Sequence, residues 1–208
     1  MNIPFKQTHA SNYRAGRTQE IKYLVIHYTA NNGDTAQNNL DYFARTSLKT
    51  SAHYFVDEYG IGQSVRDNDT AYHCGATKYK HPDCRNDNSI GIELCSRKDS
   101  DGEYFFKPET IRNAVELCQA LMEKYSLPAG RILRHYDVTG KMCPAPFVND
   151  PAAWADFCAE AEQTEPTEHW AQKHFESLIE KGIMIKETRF DEPVTRGEIF
   201  ALLDRLII

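Results

Sequence analysis

No stretch of the 208-residue chain approaches the roughly 18 consecutive apolar residues of a membrane-spanning helix, which excludes a helical integral membrane protein. The opening "MNIPFKQTHASNYRAG" has neither a positively charged start nor an apolar stretch behind it, so it predicts a chain made in the cytoplasm without a signal peptide. Basic residues are not in excess: 24 Lys and Arg against 30 Asp and Glu give a net charge of −6, and no basic face for nucleic acid is visible. The negative charge is uneven, with 11 acidic and 6 basic residues from Glu160 onward. CxxC and HxxxH pairs are absent, and six cysteines at 74, 84, 95, 118, 143 and 158 form no even framework. Without a signal peptide, free thiols or a metal ligand are expected rather than disulfides, a Cys74 to Cys84 bridge outside the cell remaining open. Disorder is excluded as well, by a hydrophobic share of 41% with 11% aromatic residues.

What is present reads as alternating strands and helices. "EIKYLVIHYTA" is a short β-branched run with His27 at its far end, and "NNLDYFART" has helical apolar spacing at Leu40, Phe43 and Ala44. "SAHYFVDEYGIGQSV" predicts two strands around a turn at Tyr59 to Gly62. In "SIGIELC", Ile90, Ile92 and Leu94 alternate with Gly91, Glu93 and Cys95, so Glu93 points away from the aliphatic face. "KPETIRNAVELCQALMEKYSL" predicts an amphipathic helix with a Pro in its first turn. "RILRHYD" predicts a last strand with His135 at its end, and the stretch after it, rich in Gly and Pro, reads as a loop. "AWADFCAEAE" predicts a closing helix, followed by the acidic linker "QTEPTE".

The residues with chemical potential thus collect at strand ends and the loops beyond them, where α/β sheets bind ligands. "RHYDVTGKMCPAPF" holds His135, Lys141 and Cys143 within nine positions. A catalytic zinc takes three protein ligands and leaves a fourth position open, a number that His27, His135 and Cys143 supply. Singly, each has a plainer explanation: a strand-end His is more often hydrogen-bonded structure, and a lone Cys more often core.

"YLVIHYTA", "SAHYFVD", "AYHCGA", "NSIGIELC" and "RHYDVTGKMCP", in this order, resemble the signature blocks of the type 2 N-acetylmuramoyl-L-alanine amidases, the family of phage endolysins and peptidoglycan recognition proteins. The resemblance spans about residues 20 to 158 and implies an α/β fold, a central mixed β-sheet flanked by helices, for a catalytic domain over 1–160. It implies Zn2+ held by His27, His135 and Cys143, with Glu93 and Lys141 catalytic, and His73 and Asn88 contacting substrate. Some members carry a catalytic Tyr before the His of "SAHYF"; Ala52 stands there in this chain and moves the weight onto Glu93. His53 is expected to be structural or to support the ligands, and His9, His81, His169 and His174 to lie on the surface. The implied substrate is peptidoglycan, cut between the lactyl group of N-acetylmuramic acid and L-alanine after release of the protein to the wall. Two alternatives stand beside this: a non-catalytic peptidoglycan-binding recognition module, which usually lacks the Cys143 ligand, and a structural zinc domain, which would need neither Glu93 nor Lys141.

Beyond a linker at 161–167, residues 168–208 are expected to form a small helical domain. "HWAQKHFESLIEKGIM" and "RFDEPVTRGEIFALLDRL" weakly resemble one S-layer homology repeat, with Thr195 and Glu198 as a capping box. About 40 residues cannot hide Ile179, Ile183, Ile199, Leu202, Leu203 and Leu206 within two helices. Wall binding or a homodimer through this domain is the expectation.

Overall fold

The computed structural model describes residues 3–163 and 172–182. In chain order the strands are β1 (Tyr13–Arg14), β2 (Tyr23–Tyr28), β3 (Tyr54–Val56), β4 (Ile61–Gln63), β5 (Thr70–Ala71), β6 (Ser89–Leu94), β7 (Arg97–Lys98), β8 (Tyr104–Phe105) and β9 (Ile132–Arg134). The helices are α1 (Ala36–Arg45), α2 (Pro108–Lys124), α3 (His135–Thr139), α4 (Ala145–Asn149), α5 (Pro151–Glu162) and α6 (Gln172–Glu180). Five strands make the central sheet in the order β4-β3-β6-β2-β9, and the remaining four pair as two short ribbons. β3, β6, β2 and β9 run parallel, while β4 returns antiparallel at the edge. The sheet is therefore mixed, as expected.

Alternation along the strands divides the chain's apolar residues between two faces. Leu24 and Ile26 of β2, with Ile90, Ile92 and Leu94 of β6, pack under α2 and α5 in the main core. Each of these aliphatic side chains is wholly buried, worth about 1.5 to 3 kcal/mol apiece. α2 fits this role because its apolar residues recur at helical spacing, and Ala114, Val115, Leu117, Cys118, Leu121 and Met122 are its buried stripe. α5 starts where Asp150 accepts from the backbone of Ala152 and Ala153, and Phe157 and Trp154 close this face around Phe147. On the opposite face, Tyr23 and Val25 pack with Val138 of α3 and with Cys74 and Cys84. α1, held at its start by a reciprocal Thr35 and Asn38 cap, sets Leu40 with Ala52 and Phe55.

Register then fixes what lies at the carboxyl ends of the strands. His27 is directly opposite Glu93, and Ile26 opposite Arg134, the residue before His135. The segment from His135 is not the continuous loop the Gly and Pro content suggested. It makes a helical turn, α3, closed by Gly140 at φ +84°, a left-handed conformation that suits glycine, and a second turn, α4, follows Pro144.

Two units are distinguished, 1–163 and 164–208. Of the second, the described residues form α6 and the turn through Gly182. The Thr195 and Glu198 cap and the second helix of the S-layer-like pattern lie outside the described residues. No helix among the described residues is long and apolar enough to cross a membrane.

Candidate active site

His27, at the end of β2, meets His135, which opens α3, and Cys143, on the turn after it. One ligand atom from each lies within 4.8 Å of the other two. His27 Nδ1 is 3.8 Å from Cys143 Sγ, and the two imidazole centroids are 4.6 Å apart. The three residues are 2%, 7% and 3% exposed, so these donors are withdrawn from bulk water. Two nitrogens and one sulfur, buried and convergent, are a donor set that suits zinc with one position left for a ligand.

Burial sets the protonation of this cluster in the metal-free protein. It pushes the His27 ring well below the usual imidazole range, with His73, His135 and Lys141 adding to the effect. His135 falls to about 4, again by burial first and Lys141 second. The Cys143 thiol rises to about 12, by burial and then the nearby Glu93 carboxylate. Both imidazoles are therefore neutral, with lone pairs available, and the thiol must release its proton to solvent before its sulfur can hold a metal.

Glu93 stands beside His27 on the same sheet face. Four buried side-chain polar atoms lack a hydrogen-bond partner among the described residues, and Glu93 Oε2 is the one carboxylate oxygen of the four. Burial raises its acid to about 8; the positive charge of Lys141 opposes this and Asp34 adds to it. A buried oxygen with no partner is costly, and here it lines a cleft.

Two adjoining hollows share His73, His135, Lys141 and Thr50 as lining. One, of about 390 Å³, contains the three donors and Glu93 and is walled by Tyr28, Tyr42 and Phe43. The other, of about 790 Å³, is bordered by Lys49, Lys78, Tyr72 and Asn86. The cleft has an aromatic arm and a basic arm, with the donors between them.

The family described as N-acetylmuramoyl-L-alanine amidase matches residues 17–146. The chain belongs to this amidase family. Among its relatives is N-acetylmuramoyl-L-alanine amidase CwlL of Bacillus licheniformis, 38% identical over 147 residues that make up 66% of this chain and 39% of that one. The chain spans about two fifths of the length of the curated relatives it matches. Several solved structures match over nearly their full length. The catalytic domain of XlyA superposes with a TM-score of 0.64 at 27% identity, covering 77% of this chain and 99% of that one. A mutant endolysin from Bacillus subtilis gives 0.63 at 29% identity, with coverage of 77% and 99%.

Within this amidase fold the other expected site residues separate. Lys141 is exposed at the mouth shared by both hollows. His73 borders the cleft but has both ring nitrogens engaged internally, Nδ1 with His27 at 3.0 Å and Nε2 with Ser89 at 3.1 Å. The expectation for Asn88 is corrected. It is wholly buried at the opposite, amino-terminal end of β6, where its Oδ1 accepts from the Arg85 backbone and its Nδ2 donates to the Asp83 carbonyl. Sharing the block "NSIGIELC" with Glu93 does not bring Asn88 to the site, because five residues of strand carry the chain about 16 Å. His53 is structural, its Nδ1 accepting from the Gly91 backbone at 2.9 Å. His9 and His81 are half-buried rather than on the surface, each accepting backbone N–H bonds through Nδ1.

Ser89 and Gly91 escaped the sequence reading. A Cβ on Gly91 would sit 2.5 Å from Cγ of His73, so the glycine makes room for that ring. The signal was a glycine inside a strand, which marks close approach by another group.

Proposed function

We propose that the protein is a zinc-dependent peptidoglycan amidase that cleaves the amide between the lactyl group of N-acetylmuramic acid and L-alanine, acting on the wall after release as a phage or prophage endolysin. One observation carries the reading: three convergent metal donors and an unpartnered carboxylate oxygen open into the same cleft. His27, His135 and Cys143 would hold the ion. Zinc, when bound, supplies Lewis acidity that polarises a carbonyl and makes hydroxide available near neutral pH.

Glu93 then has a proton to move. Its unpartnered Oε2 opens into the cleft, so Glu93 takes a proton from water there and returns it to the leaving amine of L-alanine. Lys141 contributes positive charge at the mouth, where the carbonyl oxygen becomes an oxyanion. Tyr42 and Phe43 offer flat faces to a sugar, and Lys49 and Lys78 offer cations to the carboxylates of a stem peptide. These arms give the substrate a direction across the donors.

Metal analysis of the full chain tests this directly. About one zinc per chain is expected, with Cys143→Ser losing metal and hydrolysis together. Absence of a stoichiometric ion in a wild type that hydrolyses the wall would overturn the site. Zinc without hydrolysis would leave a wall-binding module.

A further inference from the structure

We infer that His73 is a positioning residue that holds His27 as its Nε2–H tautomer, so that the Nδ1 lone pair is the atom offered beside His135 and Cys143. The inference rests on the metal reading above and adds to it the direction of every proton behind one ligand. It starts at Ser89, whose Oγ lies 2.6 Å from the Arg85 carbonyl oxygen. A carbonyl only accepts, so the single hydroxyl proton of Ser89 is committed there. Toward His73 Nε2, at 3.1 Å, Ser89 Oγ can therefore only accept, and Nε2 carries the ring's proton. In the neutral His73 ring Nδ1 is then a lone pair, 3.0 Å from His27 Nε2, and His27 donates to it. A neutral His27 with its proton on Nε2 has Nδ1 free, and that atom faces Cys143 Sγ.

The far end of this relay is rigid. Ser89 is wholly buried at the start of β6, and the backbone N–H of His73 donates to Asn86 Oδ1 at 3.1 Å. Gly91 leaves the space the ring occupies. An imidazole ligand whose second nitrogen is tied in this way is fixed in both tautomer and orientation, an effect whose removal typically costs 10- to 100-fold in metal affinity.

Long-range proton–nitrogen correlation spectra of the 15N-labelled, metal-stripped full chain read the tautomer directly. The Nε2–H pattern is expected for His27, and an Nδ1–H or doubly protonated ring would overturn the inference without any variant. Zinc affinity, measured against a competing chelator, gives the second test. His73→Phe keeps a flat ring but no acceptor, and its affinity should drop about 10- to 100-fold. His73→Asn, with an amide oxygen near the Nδ1 position, should recover most of the loss. Equal affinity in wild type and a folded His73→Phe would overturn the assignment. A wild type that binds no zinc defeats the metal site itself, whereas zinc bound by a wild type with the other His27 tautomer defeats this inference alone.

Discussion

Replacing Glu93 by glutamine separates what this carboxyl costs the fold from what it does for the reaction. In the metal-free protein, burial holds its acid at about 8 against an ordinary value of 4.5. Between those values the unfolded chain gives up a proton that the folded chain keeps, so stability falls as pH rises through the interval and levels off above it. At about 1.36 kcal/mol per pH unit, the whole interval amounts to about 5 kcal/mol. Glutamine keeps the shape and has no proton to lose. The histidines His27 and His135 act at the acid end, where the unfolded chain gains protons that the folded rings refuse, but they are the same in both proteins and cancel in the difference. Metal-free Glu93→Gln should therefore exceed wild type in stability by about 1 kcal/mol at pH 5.5, widening to about 5 kcal/mol at pH 9. Urea unfolding followed by circular dichroism, in chelator, measures this. The same variant, loaded with zinc, should lose about 10²- to 10⁴-fold in activity while retaining its metal. A stability difference that stays flat with pH, or a variant less stable than wild type at pH 9, would refute the buried, unpartnered carboxyl. Activity within a few-fold of wild type would remove Glu93 from the chemistry.

Other consequences follow from the same geometry. The Cys143 thiol, raised to about 12, is protonated before metal arrives, so zinc binding at pH 7 should release about one proton, read as the dependence of calorimetric heat on buffer ionisation enthalpy; no release would mean that sulfur is not a ligand. Gly91→Ala forces a Cβ against the His73 ring and should cost about 1 to 3 kcal/mol in thermal or urea unfolding, together with weaker zinc binding; an unchanged midpoint and affinity would remove His73 from its assigned place. Self-association is expected from the C-terminal segment, where Ile179 is 45% exposed. Light scattering should find the full chain dimeric and a chain ending at Glu162 monomeric, and a monomeric full chain at micromolar concentration would reject it.

The fold was legible where periodicity was long and consistent. Six apolar positions along Pro108–Lys124 and the alternation of Ile90, Ile92 and Leu94 each point to one arrangement, and the structure has it. The face of Glu93 followed from that alternation alone. The turns α3 and α4 were not legible, because five-residue helices carry no period and their Gly and Pro residues read as loop. Asn88 shows the opposite failure: a block of sequence matches as a unit, yet its two ends lie at opposite ends of one strand. The Ser89, His73 and His27 relay depends on contacts 16 and 46 residues apart, which no local pattern can display.

The central claim is the bond that is cut. Purified peptidoglycan digested with the full chain should yield new α-amino groups on L-alanine with no increase in reducing sugar ends, and a zinc chelator should abolish the yield. New reducing ends, new amino groups on any other residue of the stem, or full activity in chelator would contradict it.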